Sequence, residues 1–256
     1  MDIFNPKTGA PKRLAVLGGA GGVGRCLVSK AMEQGVEIAV LDLESSLARH
    51  PVPEGVDNYA VDATDQSSLR DAFGKIERDW GALDGFVNLC GVVSETKPLS
   101  DFDSEEWQFT ISSNLNAAFF AANLALPLLR KGVGGSLVNT TSGLAAYTRP
   151  GFGAYAAAKA GVNSLTKTLA LEHAPSVRVN AVAPGAINTA FLQGGTHRQE
   201  DFSKPLVDTQ AAGSMTPLLR VADPDDVVDP IMFLLSDASR YITGQILWIN
   251  GGGYMP

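Results

Sequence analysis

The stretch Leu14-Ala-Val-Leu17-Gly18-Gly-Ala-Gly21-Gly22-Val-Gly24 decides how this chain folds. Leu14 to Leu17 is an apolar run too short for a helix, and it reads as a buried strand. Five of the next seven residues are glycine. Gly24 to Gln34 then reads as a helix, capped at its C-terminus by Gly35. Such a strand, turn and helix bring backbone N–H groups to the helix N-terminus, where a pyrophosphate binds well. Gly19-x-Gly21-x-x-Gly24 has the common dinucleotide spacing, and Gly18-x-x-x-Gly22-x-Gly24 overlaps it as a variant. The loop by itself does not choose between the two.

Working outward, Glu37 to Asp42 reads as a second strand whose last residue is an acid, 18 positions after Gly24. A carboxylate there accepts hydrogen bonds from both adenosine ribose hydroxyls and repels a 2′-phosphate. No Arg or Lys lies within Gly18 to Gly24, and Leu43 follows the acid. Both features favour NAD over NADP. Further strands are expected at 59–62, 85–89, 135–140, 178–182 and 245–249, and helices at 67–80, 104–130, 154–173 and 223–235. Asp103 and Glu106 have capping-box spacing at the start of the long helix. Strands alternating with helices give a Rossmann-like α/β fold, a doubly wound parallel sheet of seven strands with helices on both faces. One domain is expected over residues 14–256, after an extension at 1–13. Asn188 to Pro217 is irregular and long enough to form a lid.

Composition narrows the function. The net charge of -7 argues against nucleic-acid and anionic-membrane partners, which call for basic surface. No apolar run approaches the ~18 residues of a membrane span. Cys26 and Cys90 lack a CxxC pattern, and the three histidines His50, His173 and His197 are scattered, so neither a disulfide framework nor a metal site is expected. The default setting is cytoplasmic. A serine hydrolase is disfavoured, because no G-x-S-x-G occurs.

The chemistry points to Tyr155-Ala-Ala-Ala-Lys159. On a helix both side chains leave the same face one turn apart. A fixed ammonium beside a phenol is expected to lower the phenol pKa from roughly 10 toward neutrality, which suits proton transfer at an alcohol or carbonyl oxygen.

With Gly18-x-x-x-Gly22-x-Gly24, Asp42, Asp62, Asn88-Leu-Cys-Gly91, Asn114, Ser142, Tyr155-x-x-x-Lys159, Pro184-Gly185 and Thr189 in this order, the chain resembles the short-chain dehydrogenase/reductase family from Arg13 to Gly253. The resemblance implies a catalytic set of Asn114, Ser142, Tyr155 and Lys159. Tyr155 would be the general acid/base, Lys159 would tune it and hold the nicotinamide ribose, Ser142 would hydrogen-bond the substrate oxygen, and Asn114 would hold a water in a proton relay. It also implies cofactor contacts from Gly18, Gly22, Val23, Gly24, Asp42, Asp62, Ala63, Asn88, Cys90, Gly91, Pro184, Gly185, Ile187 and Thr189. Three positions depart from the family pattern: Leu17, Leu89-Cys90, and Asn250 in place of an aspartate.

The implied activity is hydride transfer between NAD and a secondary alcohol or ketone. Leu144, Tyr147, Phe152 and Phe191 are the expected substrate contacts, with Val92, Val93 and Leu192 as further pocket candidates; their apolar character suggests a hydrophobic or aromatic substrate. His197 and Arg198 lie in the expected lid and are candidates to meet an acidic group. The alternatives are an NADPH-dependent ketoacyl reductase and a non-catalytic NAD-binding protein. Family analogy and the small residues Ala156 to Ala158, Ala160 and Gly161 suggest a homotetramer or homodimer.

Overall fold

The computed structural model describes residues 12–93, 96–193 and 208–255. Most of the expected 1–13 extension, and both His197 and Arg198, lie outside the described residues. β1 (Arg13–Leu17) leads through the glycine turn into α1 (Gly22–Glu33) and β2 (Glu37–Asp42). A short α2 (Glu44–Arg49) and β3 (Asp57–Ala60) follow, then α3 (Gln66–Trp80) and β4 (Gly85–Asn88). Next come α4 (Ser104–Ile111), α5 (Ala117–Lys131), β5 (Ser136–Thr140), α6 (Gly153–His173) and β6 (Arg178–Pro184). α7 (Thr209–Ser214), α8 (Pro224–Leu235) and β7 (Ile246–Ile249) complete the chain.

All seven strands are parallel, in the order β3-β2-β1-β4-β5-β6-β7. Alternating side chains feed two cores, because the strand period is 2. Ala15, Leu17, Phe86 and Leu137 pack against α3, α5 and α6, whereas Leu14, Val16, Val87 and Val138 pack against α1 and α8. This explains why the strands read as continuous apolar runs.

Local signals act where expected. The Asp103 carboxylate accepts from the Glu106 N–H (2.8 Å), and Glu106 accepts back from the Asp103 N–H (3.3 Å). Gly35 takes φ +73° just past α1, a left-handed turn that glycine adopts without strain. β3 runs over 57–60 rather than 59–62, and α2 and α7 are additional helices. Among the described residues, no helix is long and apolar enough to cross a membrane.

Candidate active site

A cleft of about 950 Å³ runs along the carboxyl ends of the strands. It straddles the gap between β1 and β4, where the chain order of the sheet reverses and open α/β sheets bind ligands.

The glycine turn forms one end. Gly18 has φ +83°, and its N–H donates to the Leu41 carbonyl (2.7 Å), tying the turn to β2. A Cβ on Gly22 would stand 2.7 Å from the Thr189 methyl, so this glycine lets the segment after β6 close over the loop. Asp42 braces the same turn: Oδ2 accepts from the Ala20 N–H (2.9 Å) and Oδ1 from the Leu43 N–H (2.8 Å). Burial pushes its carboxyl above the ordinary value, while these bonds and others from Ser46 and Gly21 pull it back. Arg25 and His50 also line the cleft. Burial holds His50 below its ordinary pKa, aided by the charges of Arg25 and Arg49 and opposed by Asp42. This basic flank of Asp42 is assembled by packing, from residues on α1 and just past α2 that no motif spacing links to the acid.

Val23, Gly24, Asp62, Ala63, Gly91, Pro184, Gly185, Ile187 and Thr189 line the cleft along with Gly18, Gly22 and Asp42. Cys90 lines it too, and burial pushes its thiol up to about 12. Asn88 ends β4 just behind this lining. It does not line the cleft; its buried Oδ1 accepts from the Cys90 N–H (3.0 Å) and shapes the turn after β4.

At the other end, Ser142 begins a short 3-10 turn and accepts from the Leu144 N–H (3.2 Å). Tyr155 and Lys159 stand one turn apart at the start of α6, both buried. The expected fall in the Tyr155 pKa is corrected: burial pushes it up to about 12, with the Ser142 hydrogen bond pulling the other way. Burial pushes Lys159 down to about 8, opposed by Cys90. The lysine Nζ lies over the tyrosine ring, 5.6 Å from its centroid. An ammonium carries three donors, and only one is engaged among the described residues, to the Thr140 carbonyl (3.0 Å). Thr140 Oγ1 is buried without a partner among the described residues. Idle buried donors and an idle acceptor, beside a glycine turn and a helix N-terminus, fit the hydroxyls and phosphates of a dinucleotide.

Asn114 sits in a π turn (Ser112–Asn116) between α4 and α5. Its Oδ1 accepts from the Val92 N–H (3.3 Å), and its Nδ2 donates to the carbonyls of Val92 (2.9 Å) and Thr110 (2.8 Å). A Cβ on Gly91 would lie 2.6 Å from Asn114 Oδ1 and 3.0 Å from Lys159 Nζ, so these three residues meet. Asn114 stands behind Gly91 and does not line the cleft.

Leu144, Tyr147, Phe152 and Phe191 line the substrate end, as do Val92, Val93 and Leu192. The rings of Tyr155 and Phe191 are 6.4 Å apart. Arg149 and Tyr254 also line it, and no motif marked either. Tyr147 stacks on Tyr254 (5.6 Å, 20°), whose other neighbour is the Trp248 ring (5.2 Å, 85°). Asn250 folds the tail into this position, donating to the Tyr254 carbonyl (2.7 Å) and accepting from the Gly252 N–H (3.0 Å). An aspartate could accept but not donate, so the amide accounts for the departure at this position.

Comparison with known proteins agrees with this geometry. The family model described as Enoyl-(Acyl carrier protein) reductase matches residues 18–254. A 3-oxoacyl-[acyl-carrier-protein] reductase of Thermotoga maritima is 33% identical, covering 93% of this chain and 95% of its own. A 3alpha-hydroxysteroid dehydrogenase of Mediterraneibacter gnavus is 31% identical, covering 92% and 94%. Among solved structures, aldohexose dehydrogenase of Thermoplasma acidophilum superposes with a TM-score of 0.84 at 26% identity, covering 96% and 95%. Glycine turn, buried Tyr155 and Lys159, sheet order and relatives converge: the chain belongs to the short-chain dehydrogenase/reductase family, oxidoreductases that use a nicotinamide cofactor.

Proposed function

We propose that the protein transfers hydride between NAD and an apolar or aromatic secondary alcohol or ketone, with Tyr155 as general acid/base. The observation that carries this reading is the convergence of Ser142, Tyr155 and Lys159 at the end of the cleft opposite the glycine turn. A bound nicotinamide would supply the hydride acceptor in oxidation and the donor in reduction. Ser142 holds and polarises the substrate oxygen. Tyr155 gives that oxygen its proton in reduction and removes it in oxidation. Lys159 offers its idle donors to the ribose, and Asn114 positions Gly91 and the lysine behind it. Asp42 supports NAD, through the ribose hydroxyls it would accept from. Tyr155→Phe is expected to abolish turnover and leave cofactor affinity intact; retained turnover in a 340 nm assay would sink the mechanism.

A second reading, NADPH-dependent reduction of a 3-oxoacyl thioester, is favoured by the relatives of that name and by Arg25 and His50 beside Asp42. Affinities for NAD and NADP, followed by a panel of aromatic, steroid, sugar, hydroxy-acid and 3-oxoacyl substrates, decide between the two. The proposed setting is cytoplasmic, as a homotetramer or homodimer.

A further inference from the structure

One cation at the substrate end has no part in proton transfer. Arg149 lies at the exposed rim of the cleft, its guanidinium carbon 5.6 Å from the centroid of Tyr147. Tyr147 stacks on Tyr254, and a Cβ on Gly143, the neighbour of Ser142, would lie 3.8 Å from the Tyr254 ring. An aromatic wall therefore runs from the residue beside Ser142 out to the guanidinium. The neighbouring cations are engaged: Arg220 in a two-point pair with Asp226, and Lys97 with Glu106. The Arg149 guanidinium makes no ion pair or hydrogen bond among the described residues, and the residue is exposed where it lines the cleft. A guanidinium resting on a ring keeps its planar fork open, the geometry that takes an oxyanion through two parallel hydrogen bonds.

We propose that Arg149 is an oxyanion subsite, and that the substrate is an apolar or aromatic ketone or alcohol whose far end carries a carboxylate or phosphate. This rests on the oxidoreductase reading of the same cleft. The wall of Tyr147 and Tyr254 covers the apolar middle of such a molecule, while Ser142 and Tyr155 meet its reacting oxygen.

The test separates binding from chemistry. The probes are 4-acetylbenzoate, 7-oxooctanoate and 7-oxooctyl phosphate, each beside its neutral counterpart: the two methyl esters and the dephosphorylated ketone. Binding is measured by calorimetry on the Tyr155→Phe protein loaded with whichever of NADH or NADPH it takes up. At least one charged probe should bind about tenfold tighter than its neutral partner, the worth of one charge-assisted hydrogen bond. Adding Arg149→Met should bring that ratio to about one, and Arg149→Lys should keep part of it. No charge preference across the panel, or a preference that survives Arg149→Met, overturns the subsite. Whether carboxylate or phosphate binds tighter identifies the oxyanion. Turnover by the wild-type protein is read separately at 340 nm. A charge preference without turnover supports the subsite and counts against the oxidoreductase reading, whereas turnover without charge preference does the reverse.

Discussion

Lys159 is a cation held where water is scarce, with one protein acceptor among the described residues. Its pKa falls from 10.5 to about 8 on burial, so the unfolded chain holds this proton more tightly than the fold. Below pH 8 the fold bears the full cost, about 3 kcal/mol for a shift of this size; between 8 and 10.5 the unfolded state binds more protons, and stability rises with pH. Lys159→Met keeps the length and removes the charge. It should be inactive yet more stable than wild type at neutral pH, with the advantage fading as pH rises toward 10.5; urea unfolding at neutral pH and near pH 10 checks this. Tyr155, pushed up to about 12, is protonated at neutral pH and ready as an acid. Ketone reduction should therefore be flat through neutral pH, while alcohol oxidation climbs with pH as the phenolate forms. Initial rates in both directions across pH 6 to 10 test the assignment, and an oxidation rate that does not climb contradicts it.

At the scale of elements, the π turn between α4 and α5 is the least ordinary piece of the fold. It puts Asn114 where one amide satisfies the N–H and carbonyl of Val92 and the carbonyl of Thr110. Asn114→Leu would leave those backbone groups unpaired in the interior, at a cost of about 2–4 kcal/mol. The denaturation midpoint should drop, and activity should fall further than the unfolded fraction explains, because Gly91 and Lys159 lose their backing. Sequence reading found this helix whole, since apolar period and capping box survive the insertion, but an i→i+5 turn leaves no periodic mark. β3 begins two residues before the expected strand: Tyr59 and Val61 carry the apolar signal, while the edge ladder begins at the polar Asp57 and Asn58. α2 and α7, at six residues each, are too short to show a period.

At the scale of the molecule, an all-parallel sheet delivers the carboxyl end of every strand to one edge, so residues far apart in sequence meet in one cleft. The glycine turn, Asp42, Ser142, Tyr155 and Lys159 were legible because each keeps a fixed spacing from its neighbours. Arg25, His50, Arg149 and Tyr254 join them only through tertiary packing, which no local spacing encodes. The outer surface yields another prediction. Phe119 is 43% exposed and Leu171 83%, on α5 and α6. The small-residue run on α6 divides: Ala156 and Ala158 face inward and Gly161 packs on Leu115, leaving Ala157 and Ala160 exposed. If these helices pair across a two-fold, Ala160→Arg should convert the assembly to a smaller species in sedimentation velocity; a wild-type monomer at micromolar concentration would contradict the pairing.

Asp42 combines two duties that engineers usually find on separate side chains. Its Oδ2 ties the glycine turn to the end of β2 through the Ala20 N–H, Oδ1 caps the following residue Leu43, and the same carboxylate borders the expected adenosine ribose. Exchanging it for a residue without an acceptor, to welcome a 2′-phosphate, would take that bond from the Ala20 N–H and loosen the turn. A redesign of cofactor preference therefore has to keep a hydrogen-bond acceptor at position 42 while removing its charge, because here the lock and its hinge are one residue.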